Sequence, residues 1–209
     1  MSISKFQYAI YDKAIPIRVC NDIIKYGLAE KGNLGTIYST GNNIKDIKNN
    51  TSKATKLLEK RDSNISWLDC PWIHRIVHPW VWDAMKKFNW NYDLTGAEKS
   101  QFTVYHPGQF YDWHQDCFFG ENIKTKHGGR NRKISYSLLL NDPSEYEGGE
   151  LQFDLRNMEN SEDNKTETVT LRDQGTLIIF PSFSFHRVLP VKRGVRYSLV
   201  TWFQGPDWR

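Results

Sequence analysis

A chain of 209 residues has room for one well-cored domain and is too short for two ordinary ones. Its 28 basic and 24 acidic residues leave a net charge of +4 without the clustered excess of a dedicated nucleic-acid binder, so the charge balance gives a nucleic-acid substrate no support. Three widely spaced cysteines, Cys20, Cys70 and Cys117, argue against a disulfide framework, and the absence of any apolar run of signal-peptide or membrane-span length predicts a soluble, cytoplasmic protein.

Phe6, Tyr8 and Ile10 alternate in a short strand, and Pro16 suits the first turn of a helix. Cys20, Ile23, Ile24, Gly27 and Leu28 continue at helical spacing, with Gly32 as the stop. A short strand is expected at 36–38. The segment 41–56 is crowded with Asn, Lys, Ser and Thr and reads as a loop, either a plain connection or a cover over a substrate. Residues 63–68 suit a strand, and Asp69 or Cys70 before Pro71 suits a helix cap. Ile73, Ile76, Val77, Trp80, Val81, Ala84 and Phe88 then mark one apolar face, in a helix that Pro79 is expected to kink or divide. His74 and His78 sit at i, i+4, but Arg75 stands where a zinc peptidase needs its glutamate, so they are assigned to a solvated face.

From Ser100 onward, short strands alternate with turns. Residues 101–105, the Pro107-Gly108 turn and 110–116 read as a hairpin, followed by a Gly- and Lys-containing loop at 118–130. Strands are expected at 134–140, after Gly148-Gly149, and at 168–171, 175–180, 184–191 and 195–203, with the acidic 157–165 as an exposed hairpin tip. Two helices followed by such a series predict a mainly β protein, a jelly-roll or barrel buttressed by helices.

The chemistry concentrates in YHPGQFYDWHQD at 105–116. Side chains two apart on a strand share a face, so His114 and Asp116 form a candidate ligand pair, although a lone His-x-Asp is also a common chance arrangement. His186, in another strand-like run, supplies a third ligand, and two imidazoles with one carboxylate suit non-haem Fe(II) with open positions. Alternation in 195–203 puts Arg196, Ser198, Val200 and Trp202 on one face. If 192–194 closes a hairpin, His186 lies opposite about Val200, with Arg196 roughly 13 Å farther along at about 3.3 Å per residue. That leaves room for a dicarboxylate between metal and guanidinium, with Ser198 as an extra donor; a structural arginine paired with a buried acid is the alternative. Trp113, Phe118, Phe119 and Trp202 read either as walls of a substrate pocket or as core.

The motifs YHPGQFYDWHQD, RKISYSLLLN, EYEGGELQF, GTLIIFPS and FHRVLPVKRGVRYSLVTWF resemble those of the prolyl 4-hydroxylase-like Fe(II)- and 2-oxoglutarate-dependent dioxygenases, in particular the bacterial and phage peptidyl-hydroxylase branch. The resemblance implies a double-stranded β-helix, the jelly-roll of cupin-like proteins. A single domain spanning 1–209 is implied, with 1–99 as a support region and 100–209 as the core. His114, Asp116 and His186 then bind iron, Arg196 binds the far carboxylate of 2-oxoglutarate, and Tyr105 contacts the same cosubstrate, with simple packing as its alternative role. No catalytic side chain is expected beyond the metal centre. Fe(II), 2-oxoglutarate and O2 are the implied cofactors, with ascorbate as an optional accessory, and the implied substrate is a prolyl or lysyl side chain of a peptide or protein. Arg196 stands where collagen-type enzymes usually carry lysine, so collagen itself is not implied. The longer-spaced arginine pattern of DNA-dealkylating relatives is missing. The same chemistry on a free amino acid, small metabolite or nucleic acid, and a cupin-like binder without turnover, are the competing readings.

Overall fold

The computed structural model describes residues 8–30, 33–34, 60–120, 127–154, 166–170 and 173–208. The expected strand at 36–38, the loop at 41–56, the middle of the 118–130 loop and the acidic segment 157–165 lie outside the described residues. Before residue 100 the chain forms β1 (Ala9–Tyr11), α1 (Ile17–Ala29), β2 (Asn33–Leu34), β3 (Arg61–Asp62), β4 (Asn64–Leu68), α2 (Pro71–Phe88) and β5 (Gly96–Ala97). Then follow β6 (Ser100–Tyr105), β7 (Phe110–His114), β8 (Arg130–Leu139), β9 (Tyr146–Gly148), β10 (Leu151–Asp154) and β11 (Thr166–Val169). The last strands are β12 (Leu177–Pro181), β13 (His186–Val188), β14 (Val191–Gly194) and β15 (Arg196–Pro206).

The strands build a major sheet in the order β1-β12-β8-β15-β6-β4-β2, with β5 added beside β15, and a minor sheet in the order β11-β10-β13-β7-β3. β14 and β9 pair separately. Two facing antiparallel sheets with helices on one side form the expected helix-buttressed jelly-roll. Strands from before residue 100 extend both sheets, since β1 pairs with β12, β4 with β6 and β3 with β7.

The run Leu177-Ile178-Ile179-Phe180 shows why the major sheet reads as continuously apolar. Leu177 and Ile179 pack with Cys20 and Ile23 of α1 and Ile73 and Val77 of α2, while Ile178 and Phe180 pack inward with Leu151, Phe153 and Val188. Both faces are covered, so both must be apolar. Gly27 permits the close approach of α1, because a Cβ there would lie 2.4 Å from the buried Phe102 ring.

Several local expectations change in three dimensions. β6 and β7 do not pair: a turn joins them, but β6 lies between β15 and β4 in the major sheet and β7 between β13 and β3 in the minor one. A tight Pro-Gly turn reverses the chain in a hairpin and equally well carries it across to the facing sheet, and local sequence does not distinguish the two. Nor does 192–194 close a hairpin onto β15, since β14 pairs with β9. α2 runs through Pro79 without division. Pro79 and Arg75, whose carbonyl loses its partner, both lie on the exposed side, where water can replace the missing hydrogen bond. His74 and His78 are not on a solvated face. Their rings stack at 4.4 Å, and His78 packs edge-on to Phe203 at 4.6 Å beneath the sheet. Leu28 is 55% exposed, so the buried stripe of α1 narrows to Cys20, Ile23 and Gly27.

Candidate metal centre

The minor sheet brings the two predicted histidines together by register. His114 ends β7, His186 begins β13, and the two residues are directly paired. Each ring is fixed by its own backbone: the Nδ1 of His114 lies 2.7 Å from the Asp112 carbonyl, and that of His186 lies 2.9 Å from the Ser184 carbonyl. A carbonyl can only accept, so both Nδ1 atoms carry hydrogen and both Nε2 lone pairs are available to a metal. Tyr111 stacks on the His114 ring at 3.5 Å and is covered in turn by Arg61, which further restricts the ring.

Asp116 arrives by another route than strand alternation. β7 stops at His114, and Asp116 sits in the following bend, with its backbone N–H donating to the Ser182 carbonyl at 2.8 Å. Its carboxylate lies 3.7 Å from His114 Nε2 and 3.5 Å from His186 Nε2. One ligand atom from each of the three residues can be chosen so that all lie within 4.8 Å of one another, the sole such His/Cys/Asp/Glu group among the described residues.

The protonation states suit a cation. Burial, reinforced by the neighbouring His186, holds His114 well below the usual histidine range, in its neutral form. Burial pushes the Asp116 carboxyl upward, but His186, His114, Arg132 and the Ser135 hydrogen bond outweigh it and hold Asp116 below the ordinary carboxylate range. A neutral imidazole and an ionised carboxylate are the ligating forms. With the outward Nε2 atoms, this donor set fits a divalent ion of the Fe(II) type.

Arg196 begins β15, on the major sheet and opposite Tyr105 of β6. Its side chain is 1% exposed, and it is among the largest fully buried side chains. Nη1 donates to Ser198 Oγ at 3.2 Å, the guanidinium carbon lies 5.5 Å from the Tyr105 ring centre, and Nε is buried without a partner. No carboxylate of the described residues forms an ion pair with it. A buried cation in this condition is suited to pairing with an anion. Gly149, at φ +70°, makes room for it: a Cβ there would lie 2.9 Å from Arg196 Cδ. The expectation that His186 lies opposite Val200 is thus replaced. His186 faces His114 and Phe153 in one sheet, and Arg196 reaches the same interior from the other.

The aromatic candidates take different places. Arg132 forms a two-pronged pair with Glu98, both contacts 2.6 Å, and covers Trp202 at 3.7 Å. Trp202 is therefore the buried member of a stack. Trp113 lies under Arg187, Phe118 stacks on His127, and Phe119 is 67% exposed. Sequence reasoning missed Ser135 and Ser182, whose contacts to Asp116 cross between elements and leave no periodic trace, and Tyr111, which stacks on His114 from three residues earlier in β7.

Residues 100–204 match the family model described as the 2OG-Fe(II) oxygenase superfamily. The chain is 38% identical over 97 residues to a PKHD-type hydroxylase of Synechococcus sp. (strain CC9902), an alignment covering 46% of this chain and 37% of that relative's length. Among solved structures, a prolyl-4-hydroxylase of Pseudomonas putida superposes with a TM-score of 0.66 at 20% identity, covering 98% of this chain and 96% of that one. The viral collagen prolyl hydroxylase of Paramecium bursaria Chlorella virus-1, solved with 2OG, gives 0.64 at 18%, covering 95% and 96%. These two likenesses establish the shared fold. The model match over β6 to β15, which contain or flank the two histidines, the aspartate and the buried arginine, makes this chain a member of the 2OG-Fe(II) oxygenase superfamily, whose chemistry draws on Fe(II), 2-oxoglutarate and O2.

Proposed function

We propose that the chain is a hydroxylase that uses Fe(II), 2-oxoglutarate and O2 to place a hydroxyl group on a prolyl or lysyl side chain of a peptide or protein. The observation that carries this reading is the opposition, inside one barrel, of a His-Asp-His ligand group and a fully buried arginine with no carboxylate partner among the described residues. His114, Asp116 and His186 hold the metal, each with one atom. Arg196 grips the far carboxylate of 2-oxoglutarate through charge-assisted hydrogen bonds, with Ser198 holding the guanidinium in place and Tyr105 forming the adjoining wall. Bound Fe(II) supplies oxygen activation coupled to oxidative decarboxylation of 2-oxoglutarate, in which one oxygen atom of O2 enters succinate and the other enters the substrate. The protein contributes ligand geometry and an interior lined by Phe153, Phe180 and Tyr105 that keeps bulk water out. A peptide substrate is favoured by the names of the relatives, a PKHD-type hydroxylase and two prolyl hydroxylases.

The test is succinate release measured with and without Fe(II), 2-oxoglutarate and a panel of proline- and lysine-containing peptides. Mass spectrometry then locates a gain of one oxygen in the stimulating peptide. Release that requires both Fe(II) and 2-oxoglutarate but is stimulated by free amino acids or metabolites, and by no peptide, would move the assignment to a small-molecule oxygenase.

A further inference from the structure

The Asp116 carboxylate is held by a serine that is itself braced by a second, and both belong to neither sequence motif around the ligands. Ser135 lies in the middle of β8 and Ser182 just beyond the end of β12, and both are 0% exposed. Ser135 Oγ donates to Asp116 Oδ2 at 2.7 Å, so its oxygen accepts from the Ser182 hydroxyl at 2.9 Å. Ser182 also holds the Asp116 backbone: its carbonyl accepts from the N–H groups of Asp116 and Cys117, and its own N–H donates to the Lys133 carbonyl at 2.9 Å. The Ser135 hydroxyl is placed by regular pairing, because Ser135 stands opposite Phe180 on one side and Trp202 on the other.

Resting on the reading above that Asp116 ligates the metal, we infer that Ser135, braced by Ser182, is a positioning residue that makes Asp116 bind through one oxygen only. The argument is one of available lone pairs and available positions. The hydrogen bond from Ser135 engages Oδ2, the oxygen 3.5 Å from His186 Nε2, whereas Oδ1, 3.7 Å from His114 Nε2, accepts no hydrogen bond from the described residues and is the freer donor. An octahedral ion held by one atom from each of three residues keeps half of its positions open, enough for a chelating 2-oxo acid and one further small molecule. A carboxylate that rotated to bind through both oxygens would close one of these. Ser135 opposes that rotation, because the rotation breaks a short hydrogen bond to a buried ionised group and strands the serine hydroxyl in a dry interior.

The experiment uses Mn(II) and Co(II) as probes on the full chain, so its reading does not depend on turnover. Ser135→Ala is expected to weaken Mn(II) binding by about tenfold or more, the usual effect of removing a hydrogen bond that orients a ligand. It should also change the Co(II) absorption bands, which report coordination number. Ser135→Thr, which keeps the hydroxyl, should restore both. Ser182→Ala removes only the brace and should give a smaller change of the same kind; it also serves as the reporter should Ser135→Ala fold poorly. Wild-type Mn(II) affinity and Co(II) spectrum in folded Ser135→Ala or Ser182→Ala would overturn the inference, as would a loss of thermal stability with no change in either probe. Wild-type protein that binds neither ion, or binds it unaffected by His186→Ala, would instead overturn the ligand assignment itself.

Discussion

Replacing Arg196 with alanine separates the proposed 2-oxoglutarate contact from the metal contacts. The side chain is 1% exposed, bonded to Ser198, and offers a buried Nε without a partner, so a carboxylate placed against it is desolvated and compensated mainly by this one cation. Truncating one partner of such a pair costs about 2–5 kcal/mol, much of it from the charge left uncompensated. At about 1.4 kcal/mol per tenfold, 2-oxoglutarate affinity should fall by about thirtyfold at least, and by a few thousandfold at the upper end. Mn(II) affinity should be unchanged, because the three ligands stand on β7, the following bend and β13, none of which pairs with β15. Arg196→Lys should be milder, since it keeps the charge and loses the two-pronged geometry. The assay is a titration of Mn(II)-loaded protein with 2-oxoglutarate by calorimetry, beside a separate Mn(II) titration. Wild-type 2-oxoglutarate affinity in folded Arg196→Ala would refute the reasoning, and the neighbouring arginines offer no ready substitute, since Arg132 is already paired with Glu98 and the Arg193 side chain is 77% exposed.

Removing either imidazole, by His114→Ala or His186→Ala, should lower Mn(II) affinity by more than about a hundredfold, exceeding the effect of losing an orienting partner, as read by metal titration. Gly149→Ala would put a methyl 2.9 Å from Arg196 Cδ at a φ of +70°; it should weaken 2-oxoglutarate binding while leaving Mn(II) binding intact, and unchanged affinity for both would show that the arginine has slack. His78 is half-buried beside His74, and its pKa is lowered to about 4 by burial first and by His74 second. An unfolded histidine titrates near 6.5, so between about pH 6.5 and 4 the unfolded chain binds the extra proton. The stabilising contribution is thus complete above pH 6.5 and lost as pH falls toward 4, on the order of 1–3 kcal/mol after allowance for partial exposure. Urea unfolding at pH 7 and pH 5 should show a smaller pH dependence in His78→Phe than in wild type; equal dependence would remove His78 as its source.

Much of the site was legible because it rests on short-range order. His114 and Asp116 are two residues apart, Arg196 and Ser198 share a strand face by simple alternation, and the ordered motifs from Tyr105 to Phe203 resemble one oxygenase family. The helices and the later strands followed in the same way from periodicity, which acts within a few residues. What the tertiary structure decided was pairing. The Pro107-Gly108 turn looked like a hairpin but carries β7 into the opposite sheet, and that crossing is what sets His114 against His186. The same limit hid Ser135 and Ser182, which meet at 2.9 Å from strands 47 residues apart, and it misplaced His78, whose burial depends on Phe203 rather than on its own helix. Periodicity states which face of a strand or helix is turned inward. Which distant element comes to cover that face depends on sheet topology, and topology is settled by the joint packing of both sheets and the helices, to which residues far apart in sequence contribute together.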